Sequence, residues 1–229
     1  MGQPHIRLRT WADFACFTRP EFKVERSSYP MITPSAARGI LEAVFWKPEI
    51  RYEIRRIGVV KPGRPMVIVR NELAERQSQL PIQIDEKRQQ RSSLILRDVE
   101  YLIEADIVLQ PHATVPIAKY LDQARRRIER GQYFHTPYMG TREFAANFEP
   151  ADDQVPIQRD VPMGTMLFDI AFIPSDSRSE LDFWSAGSET PVSGYAQALF
   201  AQDVRLESGW WTIPANKYQE LYRLERGDV

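Results

Sequence analysis

Cysteine and histidine are scarce in this sequence of 229 residues. Cys16 is the only cysteine, so the chain cannot form an internal disulfide, and its apolar surroundings predict a core residue. The three histidines, His5, His112 and His135, are far apart in sequence, and no Cys/His cluster has the spacing of a zinc site. A disulfide-stabilised scaffold is therefore excluded, and no zinc domain is predicted.

Several motifs of common enzyme classes are also missing. There is no phosphate-binding glycine loop, Rossmann fingerprint or nucleophile elbow. No apolar run approaches the length of a membrane span, and the first residues lack the apolar core of a signal peptide, so a cytoplasmic location is expected. The carboxylates of Asp152, Asp153 and Asp182 lie in an acidic, loop-rich region, which favours surface positions over an acid/base pair.

The positive charge of the chain is unevenly distributed. Residues 1–145 contain 24 Lys and Arg against 17 Asp and Glu, whereas residues 146–229 contain 6 against 14. The cations also occur in clusters, of which residues 125–130 form the densest. The first part is therefore the candidate for binding a polyanion such as a nucleic acid.

A first helix is predicted from Thr33 and Pro34 to about Trp46. Threonine can cap a helix, proline suits its first turn, and Pro48 disfavours helical geometry at the residue before it. The apolar positions follow one stripe, which includes Phe45 and predicts that its ring faces the core. Trp46 falls on the opposite face of that helix, where a surface position and core packing are both open.

The remaining pattern predicts an α+β protein. A strand over residues 5–17 precedes the helix, and Ile50 begins another strand that ends at a Pro/Gly break with a short hairpin partner, Pro65 to Arg70. The polar residues 71–92 suggest a loop, after which a strand (93–109), a helix from Pro116 to Gly131 and a short strand near 141–148 follow.

This element order favours a ferredoxin-like fold with an insertion. The order β-α-β, insertion, β-α-β is shared with RNA-recognition modules, and we assign it to a domain of residues 1–150. Residues 151–229 contain short β segments between Pro, Gly and Ser, with a hairpin turn at 207–209, and predict a small antiparallel β-sheet domain.

Aromatic residues accompany the cations in the first part. Single-stranded RNA is held by cations along its backbone and by aromatic rings that stack on unpaired bases. Core packing is the alternative for each ring. The candidate RNA-binding residues are Arg26, Tyr29, Arg38, Trp46, Lys47, Arg125 and Arg126.

Two segments closely resemble a known protein family. They are DFACFTRPEFKVERSSYPMITPSAARGILEAVFWKP at 13–48 and GQYFHTPYMGTREF at 131–144. Both are similar to the CRISPR-associated family-five protein of subtype I-C, a member of the RAMP superfamily. The resemblance spans most of residues 5–148, whereas the carboxy-terminal part is similar only in its β-rich character.

The resemblance implies an endoribonuclease that cuts CRISPR repeat RNA and stays in the effector complex with other subunits. The implied chemistry needs no metal or cofactor: a ribose 2′-hydroxyl attacks the adjacent phosphate and leaves a 2′,3′-cyclic phosphate and a 5′-hydroxyl. Such a reaction needs a base, a cation for the charged transition state and a proton donor to the leaving oxygen.

The family residues for this chemistry are only partly present. The resemblance implies a tyrosine before the Trp-Lys-Pro run, where this chain has Phe45, and a Lys-His pair, where it has Lys119 and Tyr120. Phe45 cannot exchange a proton, and Tyr120 would act only if its pKa were lowered, for example by neighbouring cations. His135 is a candidate substitute base, with a structural role as the alternative.

Three functions remain open from the sequence. The first is a CRISPR RNA-processing endoribonuclease that caps the 5′ handle of the guide. The second is a handle-binding subunit without catalysis, because Phe45 and Tyr120 depart from the family pattern. The third, which follows from charge alone, is a general nucleic-acid-binding module with affinity for duplex DNA.

Overall fold

The computed structural model describes residues 5–22, 24–73, 87–184, 188 and 190–227. Within these ranges no helix is long and apolar enough to cross a membrane. The elements follow one another as β1 (Ile6–Ala15), β2 (Arg26–Ser27), α1 (Pro34–Val44), β3 (Ile50–Leu73), β4 (Arg88–Leu109), α2 (Ile117–Glu129), β5 (Asn147–Pro150), β6 (Val161–Pro174), β7 (Leu181–Phe183), β8 (Val192–Leu206), β9 (Trp210–Thr212) and α3 (Ala215–Glu225).

The larger sheet has the strand order β5-β1-β4-β3-β9, and β2 pairs with β4. Its ladders are antiparallel except for the short parallel pairing of β2 with β4. The predicted α+β class is confirmed, and the order β1-α1-β3-β4-α2-β5 agrees with the ferredoxin-like prediction. Strand β9 comes from beyond residue 150 yet pairs with β3, so the proposed division at that residue stays a prediction.

Strand β3 corrects the predicted hairpin between residues 50 and 70. The Pro/Gly segment does not turn the chain, and β3 continues to Leu73 with β4 as its partner. Register shifts near Val59 absorb the irregularity, and Gly63 has a φ of +78°. A Cβ atom on Gly63 would lie 2.7 Å from Val99 Cγ1, so glycine is required there. Part of the predicted 71–92 loop, residues 74–86, lies outside the described residues.

Helix α1 begins as predicted and ends two residues earlier. The Thr33 side chain accepts a hydrogen bond from the Ala36 amide, and Pro34 occupies the first turn. The helix ends at Val44, because Phe45 has extended backbone angles, φ −151° and ψ 120°. Trp46 therefore lies beyond the helix and does not share a helical face with Arg38.

The smaller sheet, in the order β6-β8-β7, confirms the antiparallel β segments predicted after residue 150. Helix α3 was not predicted, although Pro214 and the apolar spacing of Tyr218, Leu221 and Tyr222 are typical of a helix. The Tyr218 ring packs at 4.9 Å against Phe168, and its hydroxyl accepts a hydrogen bond from the Ile54 amide. Helix α3 thus connects the smaller sheet to β3.

An ion pair with a buried carboxylate joins α1 to β6. The Arg38 guanidinium donates two hydrogen bonds to Asp169, at 2.7 and 3.1 Å, and one to Glu42 at 2.9 Å. The Asp169 side chain is only 3% exposed. A buried carboxylate that loses its cation keeps its desolvation cost, so this pair holds the two parts of the chain together.

We expect Arg38→Ala to destabilise the protein by about 3 kcal/mol, because Asp169 would remain buried and charged without its guanidinium partner. Urea unfolding at pH 7 measures this change. Arg38→Met combined with Asp169→Asn should recover part of the loss, since no buried charge is then unpaired. Arg178→Ala, which removes an exposed pair with Glu180, is the control and should leave the midpoint unchanged. A single Arg38 variant with parental stability would contradict the role of the pair.

Candidate nucleic-acid interface

The last two residues of α1 are bound by two other parts of the chain. The Ala43 carbonyl accepts hydrogen bonds from the Phe134 and His135 amides, at 2.8 and 3.3 Å. Arg127 in α2 donates a hydrogen bond to the Val44 carbonyl at 3.1 Å. The last carbonyls of a helix have no partner within the helix, so these contacts fix the loop and α2 against it.

Phe45 lies in the core, as its place on the apolar stripe predicted. Its side chain is 2% exposed, and the Arg127 guanidinium lies 5.8 Å from its ring centre. The Tyr52 hydroxyl donates a 2.8 Å hydrogen bond to the Phe45 carbonyl. Burial, and then the nearby charge of Glu42, raise the pKa of Tyr52, so that hydroxyl keeps its proton.

The loop 131–137 exposes two aromatic rings and an imidazole beside this helix end. Tyr133, Phe134 and His135 are all exposed, Phe134 by 77%. The His135 side chain lies 3.5 Å from the Thr136 carbonyl, and its backbone is held by Ala43. An accessible imidazole on a fixed backbone can bind a phosphate or transfer a proton.

Lys119 and Tyr120 are adjacent in sequence but differ in exposure. Tyr120 is 5% exposed, whereas Lys119 is exposed. Burial, and then the charge of Glu49, raise the pKa of Tyr120. The requirement that neighbouring cations lower this pKa is therefore not met, and the ring belongs to the core beneath α2 rather than to an open acid/base site.

Lys119 and His135 are held by different elements. The His135 amide is bound to the Ala43 carbonyl, next to the Val44 carbonyl that accepts from Arg127. Lys119 lies in the first turn of α2, eight residues before Arg127, which is about 12 Å along the axis at 1.5 Å per residue. The structure thus places His135 near the Arg127 end of α2 and Lys119 near the start of that helix.

Two candidate RNA-binding residues that follow α1, Trp46 and Lys47, are on the surface. Trp46 is 52% exposed and Lys47 is exposed. The extended backbone at Phe45 turns successive side chains to opposite sides, so Phe45 points inward and Trp46 outward. A ring and a cation that are both exposed suit contact with an unpaired base and its phosphate.

Several cations here are free of ion pairs. Within the part of the chain that the structure describes, no carboxylate lies within ion-pair distance of the exposed residues Lys47, Lys119, Arg126 and Arg130. We call these four cations and the loop 131–137 the basic surface.

Four predicted RNA-binding residues have structural partners instead. Tyr29 is a correction: it is 1% exposed beneath Arg19, because its ring fills the core. Arg38 is held by Asp169 and Glu42 and contributes no free charge. Arg26 pairs with Glu143 at 2.9 Å, and Arg125 donates to the His5 carbonyl at 3.0 Å, although both remain partly or fully exposed.

Phe134 and Arg130 belong to the basic surface but were not predicted. An aromatic residue next to His135 and outside any apolar periodicity was the available signal for Phe134. Arg130 belongs to the arginine cluster, but its accessibility depends on where α2 packs. Sequence spacing alone did not distinguish it from Arg127, which points to α1.

The histidines remain apart in the fold. His5 lies at the start of β1, 3.8 Å from Asp106, and His112 lies in the loop after β4. Among the described residues, no three His, Cys, Asp or Glu side chains come together as metal ligands. Cys16 is buried with a free thiol, as predicted, and burial raises its pKa.

Comparison with known proteins identifies related chains. A family model described as "CRISPR-associated protein (Cas_Cas5)" for Cas5d matches residues 5–170. A Thermus thermophilus protein named CRISPR pre-crRNA endoribonuclease Cas5d is 55% identical over 97% of this chain and 96% of its own. A Mannheimia succiniciproducens protein of the same name is 44% identical over 73% of this chain and 85% of its own.

The fold also has a counterpart among solved structures. The crystal structure of a CRISPR-associated protein superposes with a TM-score of 0.62 at 20% identity, over 92% of this chain and 91% of that chain. At this identity the similarity establishes a common fold.

We expect Tyr52→Phe to lower the free energy of unfolding by about 1 kcal/mol at pH 7, because the buried Phe45 carbonyl loses its donor. The folded state raises the pKa of Tyr52, so its contribution is complete below the unfolded value near 10 and is lost as pH rises above it. Urea unfolding between pH 7 and 11 should therefore show a shallower alkaline loss in Tyr52→Phe. The exposed Tyr133→Phe is the control, and an equal alkaline loss in Tyr52→Phe and the parent would contradict the assignment.

Proposed function

The chain belongs to the Cas5d family of CRISPR-associated proteins, and we propose that it is a cytoplasmic endoribonuclease that cuts CRISPR repeat RNA. The observation that carries this proposal is the 55% identity, over nearly the whole length of both chains, with the Thermus protein named pre-crRNA endoribonuclease. After cleavage the protein stays on the 5′ handle of the guide RNA and contacts the other subunits of the subtype I-C effector complex.

The proposed RNA path crosses the basic surface. Lys119, Arg126 and Arg130 are exposed along α2, and Tyr133 and Phe134 offer rings from the adjoining loop. Cations that lack a carboxylate partner can neutralise phosphates at low desolvation cost, and exposed rings can stack on unpaired bases.

The proposed reaction is attack by a ribose 2′-hydroxyl on the adjacent phosphate. The 2′-hydroxyl gives its proton to His135 and its oxygen forms the new bond to phosphorus, while the bond to the 5′-oxygen of the next nucleotide breaks and that oxygen receives a proton from water. Lys119 stabilises the negative charge that develops on the phosphate oxygens, which is an electrostatic contribution. His135 is the base that accepts the 2′-hydroxyl proton, and the scissile phosphate lies between Lys119 and His135.

A second candidate function is binding of the handle without cleavage. Two observations favour it: Phe45 is buried without a group that exchanges protons, and burial raises the pKa of Tyr120. In this case the basic surface serves only to hold the RNA. General binding of nucleic acid, including duplex DNA, would use the same free cations and would show little preference for the repeat sequence.

Cleavage of the cognate repeat RNA by the purified protein in EDTA tests the proposal. We expect a single cut that leaves a 2′,3′-cyclic phosphate, slowed by about a hundredfold in Lys119→Ala under single-turnover conditions. Arg178→Ala is the control for loss of a remote cation. If the RNA is not cut at high enzyme excess, the catalytic proposal is wrong and the handle-binding function takes its place. Competition by unrelated duplex DNA, compared with the repeat, separates both from general binding.

Substitution of His135 is expected to slow cleavage, whereas substitution of Tyr120 is not. His135→Ala should lower the single-turnover rate by about a hundredfold or more and remove one limb of its pH profile, because a proton-transfer group is lost. Tyr120→Phe should leave the rate within a few-fold of the parent, because its hydroxyl stays protonated in the core. An unchanged pH profile in His135→Ala would make that histidine structural, and a large loss in Tyr120→Phe would restore the hydroxyl to the mechanism.

A further inference from the structure

A cleft lies between the two sheets, and Trp46 forms part of its wall. It consists of two adjoining cavities of about 570 and 460 Å³. The end of α1, the start of β3, the end of β4, strands β6 and β7, and α3 all contribute walls. The side chains that line both cavities are those of Arg51, Gln110, Phe172, Trp184, Tyr222 and Glu225.

Exposed aromatic rings are concentrated in this cleft. Trp184 is 69% exposed, Trp46 is 52% and Phe172 is 40%. The rings come from three separate parts of the chain, after α1, within β6 and after β7, so their convergence results from the packing of the two sheets. Large aromatic surfaces left open to water in one cleft mark a binding site.

Two of the three arginines that line the cleft are paired with carboxylates. Arg51 donates to Glu225 and covers the Tyr222 ring at 5.0 Å, and Arg38 is held by Asp169 and Glu42. These cations already have carboxylate partners, so they do not offer a site for a phosphate. The cleft therefore fits a flat, uncharged aromatic group with polar edges.

The polar groups at the walls suit the edge of a nucleobase. Gln110 lines both cavities, and a side-chain amide can donate to and accept from a base edge. Trp46 also lies in the cleft wall, and it is followed directly by Lys47, a free cation of the basic surface. A nucleotide can thus place its base in the cleft while its phosphate remains near Lys47.

We propose that this cleft binds one unstacked base of the repeat RNA, with Trp184 and Trp46 as the stacking rings. The proposal rests on the proposed function, because it takes the repeat RNA as the ligand. It adds a base-binding site that involves the smaller sheet, outside the segments that carry the candidate catalytic residues. Sequence preference at this one nucleotide then comes from the cleft and not from the basic surface.

The test is a scan of the repeat RNA in which each nucleotide in turn is replaced by an abasic one. Binding is measured by fluorescence anisotropy at fixed salt. We expect one position where the replacement weakens binding to the parent protein by roughly 5- to 100-fold, because a base–aromatic stack is lost. In Trp184→Leu the same replacement should have no further effect, whereas Trp184→Phe should respond as the parent does.

Phe22→Leu is the matched control, since it removes another exposed ring, 52% exposed, outside the cleft. It should keep the parental response at every position. The proposal is overturned if Trp184→Leu binds unmodified RNA as tightly as the parent does. The proposal is also overturned if Trp184→Leu weakens binding equally for every abasic RNA. That result would assign the cleft to a protein partner.

Cleavage of the same unmodified RNA is measured in parallel and separates the two proposals. If binding depends on one base but the RNA is not cut, the base-binding proposal stands and the endoribonuclease proposal fails. If the RNA is cut normally but the effect of no base on binding depends on Trp184, the endoribonuclease proposal stands and the base-binding proposal fails.

Discussion

The carbonyl groups at the end of α1 are the constraint on which the candidate interface depends. A helix leaves its last carbonyls without internal partners. Here the Ala43, Val44 and Phe45 carbonyls accept hydrogen bonds from the loop amides of residues 134–135, from Arg127 and from the Tyr52 hydroxyl. Because the donors come from a loop, a helix and a strand, the same few bonds set the positions of all three around the helix end.

The segment that follows α1 has one buried and one exposed side chain as a result. The backbone becomes extended at Phe45, so that ring enters the core and the next side chain points out. The position where family members are expected to place a reactive tyrosine is thereby used for packing. Trp46 and Lys47 remain accessible, and they connect the basic surface with the aromatic cleft between the sheets.

Ion pairing within the protein determines which cations are available to bind a polyanion. Arg38 and Arg26 carry the same positive charge as Lys119 or Arg126, yet they are bound to carboxylates in the fold. A cation with a partner must lose that interaction before it can hold a phosphate, whereas a free cation on the surface need not. In the cluster on α2, Arg127 and Arg125 donate to backbone carbonyls of other parts of the chain, whereas Arg126 and Arg130 remain available for a phosphate.

The sequence by itself determined the α+β class, the start of α1, the limits of α2 and the inward position of Phe45. These follow from local signals, such as a capping threonine, a proline or an apolar stripe, which act over a few residues. Family membership was also visible, because two long segments carry specific residues. The full length of β3 was not, since a Pro/Gly segment that usually ends a strand is tolerated where a bulge and a positive φ fit the partner strand.

Only the tertiary structure decided which candidate side chains are available. Tyr29 and Tyr120 became core residues, Arg38 became the partner of a buried carboxylate, and Phe134 became the most exposed of these rings. The cleft that contains Trp184 exists only because α3, which was not predicted, and the smaller sheet pack beside the end of α1. Burial and pairing depend on contacts between residues far apart in the sequence, such as Arg127 with Val44 and Arg38 with Asp169, and no local pattern contains them.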